Sequence, residues 1–258
     1  MGREVLYDVV DGHIAVVTLN RPEVRNAVNA ALSASIEHLV EKIEADDQIL
    51  VAILTSSHEK VFCAGADLGE LAAGRGAGIS TAKGGFAGFV DAKRQKPWIA
   101  AVRGSALAGG CELVLACDMV VAAEDSRFGL PEVKRGLFAG AGGVHRLPRA
   151  LPRNIALELI ATGDPMDAQR AYGLGLVNHL AHSEKVLDRA LDLARAIAVN
   201  APLSVRESLG VARASAETSD ADMRALSAKV SAAIMATEDA KEGPRAFKEK
   251  RPAKWVGR

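Results

Sequence analysis

Several features that would place this chain in a special class are missing from its 258 residues. There are only three cysteines, Cys63, Cys111 and Cys117, and no pair of them has the CxxC spacing of a redox or zinc site. Sparse thiols in apolar surroundings are typical of buried, reduced cysteines, so we expect no disulfide framework, no metal site and a cytoplasmic location. Aromatic residues make up 4% of the chain, too few to line the sugar cleft of a two-carboxylate glycosidase.

An excess of charge of either sign is also missing, because 32 Lys and Arg residues balance 32 Asp and Glu residues. The chain therefore has no overall basic field that would hold nucleic acid or an anionic membrane surface. No apolar run reaches the roughly 18 residues of a membrane span. The first residues, with Glu4 and Asp8, do not have the pattern of a secretory signal. We expect neither nucleic acid nor membrane as a partner.

Three common catalytic motifs are absent as well. The sequence contains no GxxxxGK[ST], no GxSxG and no HExxH, which argues against a P-loop, a nucleophile elbow and a zincin site. The glycine-rich stretch 140–143 lacks the GxGxxG spacing of a dinucleotide-binding turn.

The first half of the chain alternates between strand-like and helix-like patterns. Residues 14–20, 50–55, 98–102 and 119–123 are short apolar runs typical of buried strands. From Asn29, a plausible N-cap, apolar residues recur at helical spacing up to Ile43. This alternation predicts an α/β fold with parallel strands. Residues 69–91, rich in Gly and Ala, are expected to form a mobile loop or a loosely packed helix.

The last third is predicted to be helical. Apolar residues share one helical face from Val186 to Ala198, and the sequence Asn200-Ala201-Pro202 ends that helix. Two further helices are expected over roughly 203–216 and 220–238. We therefore divide the chain into an α/β core, residues 1–200, and a helical region, residues 201–258.

Two turns rich in small residues could bind a ligand through the backbone. They lie at 61–68 and 104–113, and each follows a buried strand. Gly and Ala allow a ligand to approach the backbone closely, and two such turns could direct two N–H groups at one oxygen, as in an oxyanion hole. The alternative is that the small residues only permit tight packing of helix against strand.

Two glutamates follow these turns in apolar surroundings. Glu112 comes directly after the second turn, and Glu132 lies in Phe128-Gly129-Leu130-Pro131-Glu132. Burial raises a carboxyl pKa, so such a pair could hold a water and exchange protons with it near neutral pH. A single glutamate at a helix start is commonly only a partner of the helix dipole.

Taken together, these segments resemble the enoyl-CoA hydratase (crotonase) superfamily over nearly the whole chain. The matching segments are Asn20-Arg21-Pro22 with Asn26-Ala27; Phe62-Cys63-Ala64-Gly65-Ala66-Asp67-Leu68; Ala108-Gly109-Gly110-Cys111-Glu112-Leu113; Phe128-Gly129-Leu130-Pro131-Glu132; and Gly140-Ala141-Gly142-Gly143 with Arg146-Leu147.

The resemblance implies a fold and an activity. The fold would be a β-β-α spiral core with a C-terminal helical trimerisation region, assembled as a homotrimer or a dimer of trimers. The substrate would be an acyl-CoA thioester, with no separate cofactor and no metal. The reaction would be hydration of an enoyl-CoA to a 3-hydroxyacyl-CoA, as in fatty acid metabolism.

The resemblance also implies roles for individual residues. The amides of Ala66 and Gly109 would hold the thioester oxygen, Glu132 would protonate C2, and Glu112 would help activate the water. The residues expected to contact coenzyme A are Val24, Ala27, Ala64, Ala66, Asp67 and Leu68, with Phe247 and Lys250 approaching the coenzyme A of a neighbouring subunit.

Three positions depart from the family pattern: Arg103 replaces a common Asn, Ala139 replaces a common Pro, and Gly69-Glu70 stand where a lysine often follows the first turn. Other readings remain open: a carnitinyl-CoA-type dehydratase, a double-bond isomerase, or a non-catalytic acyl-CoA-binding protein. The presence of both glutamates favours hydration or dehydration.

Overall fold

The computed structural model describes residues 4–216 and 218–258 of the chain. The strands found in these residues are β1 (Val5–Val10), β2 (Ile14–Leu19), β3 (Val51–Ser56), β4 (Val61–Cys63), β5 (Ser80–Thr81), β6 (Gly85–Phe86), β7 (Trp98–Val102), β8 (Ser105–Leu107), β9 (Met119–Ala123), β10 (Arg127–Gly129), β11 (Met166–Asp167) and β12 (His179–Ala181).

The α-helices of the same residues alternate with these strands and then dominate the C-terminal part. They are α1 (Ala30–Ala45), α2 (Leu68–Ala72), α3 (Gly109–Ala116), α4 (Gly143–Ala150), α5 (Arg153–Thr162), α6 (Ala168–Gly173), α7 (Val186–Ala198), α8 (Pro202–Ala214), α9 (Asp220–Met235) and α10 (Glu238–Glu249). Short 3-10 turns lie at Pro22–Val24, Pro131–Arg135 and Ser183–Lys185.

The larger sheet has six strands in the order β1-β2-β3-β7-β9-β12. All neighbours are parallel except β1 and β2. Strand β3 is buried along its whole length, and its side chains alternate between two cores. Ala52 and Leu54 belong to the main core, whereas Val51 and Ile53 face a second core together with α7. This two-sided burial is the reason that the strand appears in the sequence as an unbroken apolar run.

The chain repeatedly passes from the larger sheet to a second, four-stranded sheet of order β11-β10-β8-β4. Strands β3, β7 and β9 are followed by β4, β8 and β10, and helices α2 and α3 come directly after β4 and β8. This arrangement is the β-β-α spiral expected from the resemblance, and it places the starts of several helices at one edge of the second sheet.

Helix α1 begins where the sequence predicts, because the Asn29 side chain accepts a hydrogen bond of 2.9 Å from the Leu32 amide. Its apolar face, which includes Ile36 and Ile43, packs into the main core. Helix α7 covers the opposite face of the larger sheet. The predicted division near residue 200 falls between α7 and α8.

Two expectations from the sequence need correction. Residues 69–91 contain the end of α2 and a small hairpin, β5-β6, and the Phe89 ring of this segment is fully buried and meets Trp98 edge-on, with 5.0 Å between ring centroids. The C-terminal region has a third helix, α10, beyond the two predicted ones. No helix in the described part of the chain is long and apolar enough to cross a membrane.

Candidate active site

The two small-residue turns of the sequence meet at the edge of the second sheet. Gly65, at φ +94°, lies so close to the other turn that a Cβ atom there would be 2.8 Å from Ala108 Cβ and 2.9 Å from the Gly109 nitrogen. A Cβ atom on Gly110 would lie 2.1 Å from the Cys63 oxygen. Only glycine permits such an approach of two backbones. The small residues therefore permit tight packing of the two turns against each other.

A strained residue sets the direction of one amide. Ala108 has φ +52° and ψ −128°, a conformation that costs a non-glycine residue about 1–3 kcal/mol. Its amide donates to the Gly129 oxygen at 3.0 Å, and its own oxygen accepts from the amides of Cys111 and Glu112 at 2.9 and 3.1 Å. These bonds fix the peptide that carries the next amide, that of Gly109, at the start of α3.

The other amide, that of Ala66, is held by the loop that follows β2. The Val28 amide donates to the Gly65 oxygen at 2.8 Å, and the Asp67 amide donates to the Val28 oxygen at 2.9 Å. Within the described residues, neither the amide of Ala66 nor that of Gly109 donates to a backbone acceptor. Two free donors on adjacent, glycine-packed turns can serve one ligand oxygen.

Asn26 fixes the loop that supports Ala66. Its side chain is fully buried, accepts from the Arg21 amide at 2.7 Å, and donates to Ser56 Oγ at 2.7 Å and to the Phe62 oxygen at 3.0 Å. Arg21 in turn donates to Asp67 Oδ2 at 3.1 Å. The Asn20-Arg21-Pro22 and Asn26-Ala27 segments therefore act as a frame for the turn at 64–67.

A cavity of about 760 Å³ opens above the two amides. Its wall includes seven of the residues chosen from the sequence: Ala27, Ala64, Ala66, Leu68, Gly109, Glu112 and Glu132. The other residues of the wall are Arg25, Leu71, Ser80, Gly85, Phe86, Asp91, Leu107, Ala108, Pro131, Arg135, Leu137, Phe138, Gly140 and Ala141.

Glu112 is buried in this wall, at the first turn of α3, with 3% of its surface exposed. Its Oε1 accepts a hydrogen bond of 2.8 Å from the Gly143 amide, at the start of α4. Burial raises the pKa of Glu112 to about 7, an effect reinforced by the Glu132 charge and opposed by the amides of Gly143 and Ala141 and by the Arg146 charge. Both protonation states of this carboxyl are accessible near neutral pH.

Glu132 reaches the same cavity from the 3-10 turn Pro131–Arg135. It is 9% exposed, and its Oε2 has no hydrogen-bond partner in the part of the chain that the structure describes. Burial raises the pKa of this carboxyl too, against the opposing charge of Arg135. A buried carboxyl with an unpaired oxygen favours its protonated form.

Four residues chosen from the sequence lie elsewhere. The Asp67 side chain caps α2, accepting from the Gly69 amide at 3.1 Å and the Glu70 amide at 3.2 Å. Val24 lies on the 3-10 turn before the cavity and is 37% exposed. Phe247, 86% exposed, and Lys250 lie at the end of α10, outside the residues that form the wall.

Several wall residues were not singled out from the sequence. Phe86 abuts Gly109, where a Cβ atom would be 2.4 Å from the Phe86 ring, and Leu137 and Phe138 form an exposed apolar rim. The only sequence signal for this rim is a pair of apolar residues in a segment with no helical or strand periodicity. Phe86 lies in the segment 69–91, which was expected to be a mobile loop or a loosely packed helix.

With this geometry in place, comparison with known proteins identifies the family. Residues 10–258 match the family model of enoyl-CoA hydratase/isomerase. The chain belongs to this family.

Individual members of the enoyl-CoA hydratase/isomerase family match along their full length. An enoyl-CoA hydratase structure from Mycobacterium tuberculosis is 45% identical, with a TM-score of 0.95 and complete coverage of both chains. A carnitinyl-CoA hydratase structure from Mycobacterium avium is 42% identical, with a TM-score of 0.80 and complete coverage of both chains. A carnitinyl-CoA dehydratase from Proteus mirabilis is 38% identical over 252 residues, 96% of each chain. The α/β spiral core and the family resemblance are thereby confirmed.

Proposed function

We propose that this protein is an enoyl-CoA hydratase, which adds water across the 2,3 double bond of an enoyl-CoA to give a 3-hydroxyacyl-CoA. The observation that carries the proposal is that Glu112 and Glu132 line the same cavity as the free amides of Ala66 and Gly109. Two donors for a thioester oxygen and two carboxyls for proton transfer are what this reaction requires.

The amides of Ala66 and Gly109 would bind the thioester oxygen. Attack of water at C3 moves an electron pair onto this oxygen and forms an enolate, whose charge the two N–H groups stabilise. Removing a single donor of this kind typically costs about 3–4 kcal/mol of transition-state stabilisation. Ala27, Ala64 and Leu68 would contact the coenzyme A part, and we retain Val24 and Asp67 as candidate contacts at its outer end.

The two glutamates would divide the proton transfers. Ionised Glu112 accepts a proton from the attacking water as its oxygen bonds to C3. Protonated Glu132 donates its proton to C2 as the enolate collapses. The Gly143 amide supports the ionised form of Glu112, whereas the unpaired Oε2 of Glu132 supports the neutral form. Proton exchange with solvent then restores both groups. General acid–base catalysis of this kind typically contributes about 100- to 10,000-fold to the rate.

A second candidate is the reverse reaction on a polar substrate, as in a carnitinyl-CoA dehydratase. It is favoured by the 38% identity to the Proteus mirabilis protein of that name. The same groups would act in reverse, with Glu132 removing the C2 proton and Glu112 protonating the departing hydroxyl.

The proposal requires no metal and no cofactor, since coenzyme A is part of the substrate. We also propose assembly as a homotrimer or a dimer of trimers. Within α8 and α9, every residue of which the structure describes, no side chain is buried, so their apolar residues have surface left for a second copy. Phe247 and Lys250 would then approach a neighbouring coenzyme A. A cytoplasmic location is proposed on the free state of the three cysteines.

The test measures loss of enoyl-thioester absorbance for a series of enoyl-CoAs, and its gain from 3-hydroxyacyl-CoAs including carnitinyl-CoA. The wild type is compared with Glu112→Gln and Glu132→Gln, with Glu158→Gln on the exposed face of α5 as the control. We expect at least about a 100-fold loss of kcat for each cavity variant and none for the control. Binding of acyl-CoA without turnover in the wild type would instead indicate a non-catalytic binding protein.

A further inference from the structure

The loop that carries the Gly143 amide is itself held by a charged side chain. Arg146 lies one turn along α4, and its Nη1 donates to the Ala141 oxygen at 3.0 Å. Its guanidinium rests on the adjacent residue, Gly142, where a Cβ atom would be 2.1 Å from Arg146 Nη1. Gly142 has φ +109°, so glycine is needed there for both conformation and space.

The other end of the same guanidinium is anchored to a different part of the chain. Arg146 Nη2 donates to the Val90 oxygen at 2.7 Å and lies 3.4 Å from Asp91 Oδ1. The segment 90–91 is fixed in turn, because the Val90 side chain is buried in the core and the Asp91 amide donates to the Gly84 oxygen at 2.9 Å. Arg146 therefore ties the loop at 140–143 to a rigid neighbour.

The tied loop contacts the carboxylate of Glu112. The Gly143 amide donates to Glu112 Oε1 at 2.8 Å. Ala141, whose oxygen accepts from Arg146, also has its amide near the Glu112 carboxyl. From these contacts we infer that Arg146 is a positioning residue for Glu112: it orders the backbone donors that orient the carboxylate and it keeps a positive charge behind them. This inference rests on the proposed hydration or dehydration activity.

The physical consequence concerns the proton affinity of Glu112. Backbone donors and the Arg146 charge both lower the pKa of this carboxyl, against burial and the Glu132 charge, which raise it. The other charged side chains of the cavity wall are Arg25, Asp91 and Arg135, and the neighbouring Cys111 thiol has its pKa raised to about 12 by burial. Loss of Arg146 therefore removes stabilisation of ionised Glu112 and moves its pKa upward.

The experiment compares pH profiles of kcat and kcat/KM on crotonyl-CoA. The variants are Arg146→Met, which removes charge and donors, and Arg146→Lys, which retains the charge on a single ammonium group. Arg153→Met is an exposed control at the start of α5. For Arg146→Met we expect kcat to fall about 10- to 100-fold with KM within about threefold, because a misplaced catalytic group costs up to about 100-fold. The acidic limb of the pH profile of kcat for Arg146→Met should move to higher pH.

For Arg146→Lys, both kcat and the pH of the acidic limb should lie between the values of the wild type and of Arg146→Met. Arg153→Met should match the wild type in both. A purely structural role would lower the amount of folded enzyme without moving the limb, so an unmoved limb in folded Arg146→Met overturns the inference. If Arg146→Met does not fold, the lysine variant decides in the same way. A parallel Glu112→Gln assay separates the two claims: if that variant retains full activity, it is the proposed function that fails.

Discussion

Gly65 and Gly109 lie in direct contact, so that a Cβ atom on Gly109 would stand 3.2 Å from Gly65 Cα. The two residues belong to different β-β-α units, yet their contact places the neighbouring Ala66 amide beside that of Gly109. The proposed oxyanion site therefore depends on a close approach of the backbones at Gly65 and Gly109, which a side chain at either position would prevent.

Gly109→Ala tests this dependence. The new methyl group would meet the Phe86 ring at 2.4 Å, so either the ring or the amide has to shift. We expect kcat to fall about 100- to 1,000-fold, the loss associated with one misplaced oxyanion donor. Gly173→Ala is the matched control, because a Cβ atom at Gly173 meets nothing within 4 Å. Equal activity of both variants would contradict the role of the Gly109 amide.

Glu112→Gln should change how stability depends on pH. The folded-state pKa of Glu112, about 7, lies above its ordinary value of 4.5, so the folded protein retains a proton that the unfolded chain releases between those values. The free energy of unfolding therefore decreases as pH rises through this window. Because glutamine does not titrate, the variant lacks this dependence. Its free energy of unfolding relative to that of the wild type should be up to about 3 kcal/mol higher at pH 8 than at pH 5.

Urea denaturation of both proteins at pH 5 and pH 8 measures this difference directly. Groups that do not interact with Glu112 titrate alike in both proteins and cancel in the comparison. A stability difference that stays constant between the two pH values would show that the Glu112 pKa is not raised.

Asn26→Ala should destabilise the fold. The substitution leaves the Arg21 amide and the Phe62 oxygen without their buried partner, which costs about 2–4 kcal/mol in total. Urea denaturation measures the change in the free energy of unfolding. The control Asn200→Ala, at an exposed position just after α7, should change this free energy by less than about 0.5 kcal/mol. A cost below about 1 kcal/mol would mean that Asn26 is not the frame of the turn at 64–67.

Met235→Asp tests the proposed assembly. Met235, at the end of α9, is 70% exposed on a single chain, where a charge should cost little. If α9 contacts a second copy, the aspartate becomes a buried unpaired charge and shifts the protein toward smaller species in sedimentation velocity. Tyr172→Asp, at another exposed site, on α6, should leave the distribution unchanged. A wild-type monomer would rule out the assembly.

The sequence was most informative where one local cause determines structure. Two-sided burial makes β3 visible as an apolar run, and a side-chain cap makes the start of α1 visible at Asn29. The hairpin β5-β6 has no such local cause, because its strands have two residues each and Phe89 is ordered by packing on Trp98. Helix α10 was missed because it contains Pro244 and many charged residues.

Within the candidate site, the sequence indicated the two turns and both glutamates, and the structure brings these together around one cavity. The conformation of Ala108 and the anchoring by Arg146 could not be predicted, since both arise from contacts with distant segments. The role of the Asp67 side chain within the fold could not be predicted either: it caps α2 and pairs with Arg21, while the contact with coenzyme A that the resemblance implies stays a prediction.

The convergence of the turns at Gly65 and Gly109 has a kinetic consequence. Neither segment can create the paired donors by itself, and they meet only when β4 and β8 lie side by side. A partly assembled chain that retained the larger sheet would have native-like circular dichroism and no turnover. During refolding from urea, recovery of the enzymatic rate should therefore lag behind recovery of secondary structure, and the length of that delay would measure how late β4 and β8 pair.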